Sequence, residues 1–469
     1  MSLLSTAGPP ATVALQTVRS RSVVAYERLD AHFFVSPGVA AAERIALIEA
    51  AGLPVQRLAD FASVWDPSRF TRAWATPSEA AVPYLRPYDV FDILPAAAGR
   101  LSVQRTEGLE RLRLRPGMIL QTCSGRNLGP CAYVDEHLAQ FALSHDMIRV
   151  QVDDEDLRYY LLTFLQTPTG QALLRRGKSG SVIDHLTVTD VGAVPVPLIH
   201  KPERSRIAAL AREGTARVAG ARGGLAEALR QVTATLPAPT GWTMGIRSWT
   251  ATSREVHDRL DVAHHDPVVV AAREAARSAG GIRCGDLATA HLPVRYKRVY
   301  VLGEHGRPIL SGRQLLQVQP VNLRRASDRS FKTPADYELA PGMTIFGAVG
   351  RAEGRQGTPA LVTEDRAGWL ASNDVMRLRP RAGADPVALW LAVATPHAQV
   401  QIKALSFGSV VDHMNPWDVE AIWLPPLPAG AVATAEQAWA ELVQARKLNG
   451  EATALLEGLL GRAGDGAEG

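Results

Sequence analysis

The feature that most constrains this chain is that it carries one structural plan twice. Internal repeats decide an architecture before any residue-level reading does. Arg28-Leu29-Asp30 returns as Arg259-Leu260-Asp261. Pro116-Gly117-Met118 returns as Pro341-Gly342-Met343, 225 residues on, and Gly125-Arg126 keeps that offset to Gly350-Arg351. Ser144-His145-Asp146 matches Ser372-Asn373-Asp374 at an offset of 228, which Thr167-Pro168 and Thr395-Pro396 share. Gly180 to His185 then matches Gly408 to His413, and Asp190-Val191 matches Asp418-Val419. Anchors in one order at nearly constant spacing mean duplicated domains, and a period this long is not that of a solenoid. At 469 residues the chain has room for two cores.

Each copy has the same internal plan. Segments such as GMILQTC, MIRVQV, GMTIFGAV and VMRLRP are strand-like in length and bounded by turn residues. YYLLTFLQT and VALWLAVAT are too apolar and continuous for surface strands. They read as buried helices that end at Thr-Pro, because proline disfavours helical backbone in the residue before it. Each copy is thus a mixed α+β domain. After each one the texture changes to Ala, Arg, Glu and Leu. Ile207, Leu210, Val218, Leu225, Leu229, Val232 and Leu236 follow helical spacing between Glu203 and Leu236. Trp439, Leu442, Ala445, Ala452, Leu455, Leu456 and Leu459 do the same between Thr434 and Leu460. Two such helices, each behind a copy of one domain, are expected to pack against each other across a pseudo-twofold axis. Gly214, Gly220, Gly223, Gly224 and Gly450 interrupt them. Each costs up to ~1 kcal/mol against Ala, so burial must compensate. The division expected is an N-terminal arm over 1–21, a domain over 22–200, a helix over 201–238, a second domain over 239–429, and a second helix with a tail over 430–469.

Composition bounds the class without naming it. Hydrophobic residues at 46% and charged residues at 21% are those of a globular protein. No apolar run approaches the roughly 20 residues that span a bilayer, so no membrane partner is expected. Pro9 and Pro10 interrupt the first apolar stretch, and no basic region precedes it, which argues against a signal peptide. Cys123, Cys131 and Cys284 are an odd, sparse set that fits the reducing cytoplasm and offers neither a disulfide scaffold nor zinc-ligand spacing. The net charge of +4 permits a polyanionic partner without requiring one.

The order domain, helix, domain, helix has a Gly-Ser turn and a Pro-rich exit strand before each helix. It resembles the DNA specificity subunit of type I restriction–modification systems. The residues that carry the resemblance are Gly180-Ser181 with Ile183 and Leu186, then VPVPLI at 194–199. In the second copy they are Gly408-Ser409 with Val411 and Met414, then IWLPPLP at 422–428. It covers nearly the whole chain after about residue 22. It implies two target-recognition domains, each holding one half of a bipartite site in double-stranded DNA. The two helices would form an antiparallel coiled-coil-like spacer that fixes the gap and docks DNA adenine methyltransferase subunits. It also implies no catalytic centre and no cofactor, and leaves open whether a restriction translocase/nuclease subunit joins.

DNA reading needs cations for phosphates and planar donors or amides for base edges. In copy one SGRNLGP offers Arg126 and Asn127, SRFTR offers Arg69 and Arg72, and Lys178 lies on a turn that could touch backbone phosphate. In copy two GRAEGRQGTP offers Arg351, Arg355 and Gln356. RYKR adds Arg295, Lys297 and Arg298, and NLRRASDRSFK adds Arg324, Arg325, Arg329 and Lys332. Any one of these alone reads as a solvated charge. As a set they fall in loops that differ between copies, as readers of two unlike half-sites require. Arg126, Asn127, Arg351, Arg355 and Gln356 are expected nearest the bases.

Three catalytic motifs are tempting and fail. Gly177-Lys178-Ser179 lacks the earlier glycine of a phosphate-binding loop, since Ala172 holds that place. Asn415-Pro416-Trp417-Asp418 is like the Asn-Pro-Pro-aromatic tetrad of amino-methyltransferases, but its third residue is wrong, and it aligns with Thr187-Val188-Thr189-Asp190 of the first copy. Asp184-His185 and Asp412-His413 are sequence neighbours in a duplicated turn, whereas triad members must converge with distinct roles. The adjacent His264 and His265 make poor metal geometry. A DNA reader for another phage-defence complex, a self-contained DNA-modifying enzyme and a protein-interaction scaffold stay open as rivals.

Overall fold

The structure, a computed structural model, describes residues 36–124, 128–176, 185–236, 248–252, 256, 259–302, 305–350, 355–408 and 412–465. In copy one a helix α1 (Pro37–Ala50) precedes strands β1 (Val55–Arg57), β2 (Ser63–Trp65), β3 (Ala81–Leu85), β4 (Gly99–Ser102), β5 (Ile119–Thr122), β6 (Cys131–Tyr133), β7 (Ala142–Leu143) and β8 (Met147–Gln151). Helices α2 (Glu155–Gln166), α3 (Pro168–Arg176) and α4 (Val188–Gly192) follow, then β9 (Pro195–Pro197) and the long α5 (Lys201–Thr235). Copy two repeats this as α6 (Pro267–Ser278), β10 (Ile282–Arg283), β11 (Ala288–His291), β12 (Tyr300–Val301), β13 (Arg307–Leu310), β14 (Arg324–Ala326), β15 (Thr344–Gly347), β16 (Ala360–Leu361), β17 (Leu370–Ala371) and β18 (Val375–Pro380). Its helices are α7 (Pro386–Ala394), α8 (Pro396–Ala404) and α9 (Pro416–Glu420), ahead of β19 (Trp423–Leu424) and α10 (Ala429–Asp465).

The duplication holds at the level of pairing. The sheet β2-β8-β5-β6 corresponds to β11-β18-β15-β16, and β4-β3-β7 to β14-β13-β17, to which β12 adds an edge. In both copies one pair is parallel, Tyr84 opposite Ala142 and Ile309 opposite Leu370. The Thr-Pro breaks work alike. Thr167 Oγ1 donates to Phe164 O and Thr395 Oγ1 to Ala392 O, each at 2.7 Å, ending one helix where the next begins. Gln171 and Gln399 then donate to the carbonyls of Gly129 and Gly357, which hold left-handed backbone at φ 113° and 79°. Arg149 and Arg377 are buried at equivalent sites, and each guanidinium donates to backbone carbonyls of the turn before its strand. Burial presses both guanidinium pKa values down to about 10, still far above neutrality.

The helices α5 and α10 run antiparallel. Gly214 meets Ala445 and Asn449, Arg217 meets Glu441, and Gly224 meets Ala438 and Thr434, so contacts advance along one helix as they retreat along the other. At 1.5 Å per residue, 35 and 37 residues give rods of about 50 Å. The stripe expected from Ile207, Val218, Leu225 and Val232 is buried, whereas Leu210 and Leu229 lie half-exposed. Small residues complete the seam: Ala208, Ala211, Ala221 and Ala228 on α5, and Ala431, Ala435, Ala438 and Ala445 on α10. Each domain completes its core on the pair. Leu456 and Leu460 of α10 join the copy-one core, while Ala221 to Val232 of α5 join α7. Burying each leucine contributes roughly 1.5–3 kcal/mol, enough to offset the interrupting glycines.

Candidate nucleic-acid interface

The two copies touch along a pseudo-twofold axis. Equivalent segments pair antiparallel across it: Ile93 N–H donates to Leu316 O at 2.7 Å and Val318 N–H to Phe91 O at 2.9 Å, with Asp92 opposite Gln317. Asp92 is wholly buried, and two guanidiniums from copy two close over it and its neighbour Asp89. Arg355 lies 2.7 Å from Asp92, and Arg313 lies 2.9 Å from Asp89. Burial outweighs these cations and pushes the Asp92 carboxyl up to about 7.

Above this contact opens a cleft of about 890 Å³. Arg86 of copy one and Arg298, Arg313, Arg324 and Arg355 of copy two line it, with Tyr88, Tyr296 and Tyr300 among them. The Arg324 guanidinium rides 4.8 Å above the Tyr300 ring, and Arg298 pairs with Asp374 at 3.5 Å. Exposed arginine beside tyrosine is the chemistry that meets phosphates and stacks on bases.

The expected DNA-contacting residues fall into three groups. Arg295, Lys297, Arg298, Arg324, Arg329 and Lys332 are exposed and are gathered on one sheet, because β12 pairs with β14 and Ser327 N–H donates to Val299 O. Arg325 lies beside them, half-buried, and donates to Gly306 O. Arg69 and Arg72 are exposed on a copy-one loop, with Arg72 Nε donating to the Tyr84 hydroxyl at 3.2 Å. Arg355 sits in the cleft wall against Asp92, and Gln356 is buried at 4% exposure, donating to Ala348 O and accepting from Ser406. The Gln356 amide is thus engaged inside the protein. Arg126, Asn127, Lys178 and Arg351 lie outside the described residues.

Sequence reasoning missed Arg86 and Arg313, which no repeat anchor or basic run flags, and did not single out Tyr296 and Tyr300 in and beside RYKR. It also missed Arg222 and Arg446, although their spacing of 224 repeats the duplication. Arg222 of α5 pairs with the buried Asp135 at 2.6 Å and donates to the carbonyls of Val90, Asp92 and Ile93. Arg446 of α10 does the same for copy two, reaching Val318 O, Thr363 and Asp365. These two residues bolt the domains to the spacer and so fix where the cleft lies.

Of the rejected catalytic motifs, Gly177-Lys178-Ser179 and Asp184 lie outside the described residues, and the others have plain structural roles. Asn415 stands at the N-cap of α9 and its side chain donates to the Asp418 carboxylate at 3.2 Å, at the place where Thr187 and Asp190 form a capping box on α4. Asp412 and His413 supply backbone bridges to Gly350 and Phe407. Burial pushes the Cys123 thiol up to about 11 and those of Cys131 and Cys284 up to about 12, so none is a thiolate at neutral pH. Among the described residues no group of three or more His, Cys, Asp or Glu is placed to hold a metal, and no helix is long and apolar enough to cross a membrane.

No family model and no curated protein matches the chain. Solved structures are similar to it over most of both chains, among them three. One is the HsdS subunit from Thermoanaerobacter tengcongensis, at 14% identity over 87% of this chain and 96% of that one, with a TM-score of 0.29. Another is the type I restriction-modification system S subunit from M. genitalium, at 11% identity, 88% and 96% coverage and a TM-score of 0.32. A third belongs to a structural study of assembly and conformational transition in the type I R-M system, at 15% identity, 88% and 98% coverage and a TM-score of 0.27.

Proposed function

We propose that this chain is a non-catalytic DNA-recognition subunit that reads a bipartite duplex site and docks DNA adenine methyltransferase subunits on its helix pair. One observation carries the reading: a single domain occurs twice about a pseudo-dyad, bolted to an antiparallel spacer of about 50 Å, with arginine-bearing surfaces that differ between the copies. Two unlike readers on a rigid ruler suit two half-sites at a fixed spacing. A translocase/nuclease subunit would join where restriction accompanies modification. Arg126, Asn127 and Arg351 are proposed to face bases, and the exposed Arg and Lys of the copy-two sheet to hold phosphates. Arg355 is proposed to act from the cleft wall, and Gln356 to brace that loop from within.

The decisive measurement maps DNA methylation in cells with and without this chain, then binds the purified complex to the mapped duplex over a salt series. Replacing Arg298 or Arg324 by Ala should weaken binding to all sequences and lower the salt slope by about one each. Unchanged slopes in both variants would remove the copy-two sheet from the interface. Strand cleavage or cofactor binding by the isolated chain would replace this reading with an enzymatic one.

A further inference from the structure

Beside copy one lies a second cavity, of about 750 Å³ and open on one side, bounded by α2, α5, α10 and the segment 318–322. Its apolar wall includes Phe91, Leu162, Val218 and Val321, and Arg175 and Asn322 stand at its edge, joined by a 3.0 Å hydrogen bond. The duplication shows what such a place holds when filled. Leu162 is equivalent to Trp390 at the offset of 228, and Thr215 to Trp439 at the offset of 224 that also relates Arg222 to Arg446. In copy two those tryptophans are buried at 2% and 3% exposure. Their rings meet edge to face, 5.1 Å between centroids and 88° between planes. They pack with Leu361, Leu391 and Leu442 into a closed core cluster. Copy one keeps the same backbone frame but has a leucine and a threonine there, and both line the cavity. Tyr133 stands where copy two has Leu361, but it is drawn aside by stacking on Tyr159 at 5.2 Å, with a hydroxyl–hydroxyl hydrogen bond. Its extra size therefore does not replace the missing indoles.

We infer that this cavity is a binding site for a planar, bicyclic aromatic group of indole size, inserted where copy two places its own Trp439 against Trp390. The apolar wall takes the ring faces, and the edge at Arg175 and Asn322 offers hydrogen bonds to a polar rim of the ring. Largely apolar concavities with few polar groups are how proteins take such ligands. The buried Asp135–Arg222 pair at the floor is satisfied within the protein, so the site favours a neutral ring over an ion. The group reaches the site either as a free heteroaromatic molecule or as a tryptophan side chain on another chain. The site stands whether or not the chain binds DNA.

The test titrates 5-fluoroindole into the full-length chain and follows fluorine NMR for stoichiometry. One molecule should bind the native chain, none Thr215→Trp, and two Trp439→Thr, which opens the matching space in copy two. N-acetyl-tryptophan amide in place of the free ring separates the two sources: competition by the amide shows that a side chain can enter, and its failure restricts the site to free molecules. Absence of saturable 5-fluoroindole binding to the native chain overturns the inference. So does binding that Thr215→Trp leaves unchanged; if that variant fails to fold, Leu162→Trp provides the same block.

Discussion

Gly220 and Gly224 stand one turn apart on α5 and have opposite surroundings. A methyl group on Gly220 would meet nothing within 4 Å, whereas one on Gly224 would lie 2.9 Å from the Ala438 Cβ across the seam. Replacing an exposed helix-interior glycine by alanine gains up to ~1 kcal/mol from helix propensity and a less flexible unfolded chain. Gly220→Ala should therefore raise the urea midpoint by that order. Gly224→Ala should lower it, because two apposed rigid helices must separate to admit the contact. Equal shifts in both variants would mean that the seam is looser than these distances. The cost of five glycines was legible in the sequence, but the reason for keeping Gly224 was not. A glycine that lets a partner approach looks the same along the chain as one that faces water.

Single elements show where periodicity informs and where it is silent. The apolar stripe located α5 and α10 because Ile, Leu and Val recur at helical spacing. Of the alanine seam it caught only Ala445, since alanine scores neither as core nor as surface. Arg222 and Arg446 read as two more charges on basic helices, yet they are the elements' main bolts. Their settings differ in a way that predicts their worth. Asp135, the partner of Arg222, is 4% exposed, while Asp365, the partner of Arg446, is 29% exposed. Removing one member of a buried ion pair costs about 3–5 kcal/mol, because the other charge stays desolvated and unpaired. Arg222→Ala should approach that range by urea denaturation, and Arg446→Ala should cost clearly less because water can reach the Asp365 carboxylate. The reverse order would show that the carbonyl contacts, not the carboxylates, carry these anchors.

At the scale of the whole molecule, the duplication was readable from anchors alone and the fold class from segment patterns, while the antiparallel spacer came from the resemblance. The dyad contact was not, because Asp92 and Gln317 are equivalent in position and unlike in chemistry, and no pattern along the chain joins them. Arg355 illustrates the gap: its loop suggested base reading, and the structure also commits its guanidinium to a carboxylate of the other copy. That contact makes the joint between the halves pH-dependent, with a definite sign. Burial raises the Asp92 carboxyl to about 7, against the opposing pull of Arg355, Arg313 and Arg222, and with Asp89 adding like charge. An unfolded aspartate titrates near 3.9. Between roughly pH 4 and 7 the folded chain therefore holds a proton that the unfolded chain has lost, so this group's contribution to stability falls as pH rises through that window. The slope is at most about 1.4 kcal/mol per pH unit, and it flattens above pH 7 once both states are ionised. Asp92→Asn keeps the shape and removes the titration. The unfolding free energy of the native chain relative to this variant should decline from pH 5 to pH 7 and then level off. Parallel pH profiles for the two proteins would show that the Asp92 carboxyl is ionised throughout, held by Arg355 as an ordinary ion pair.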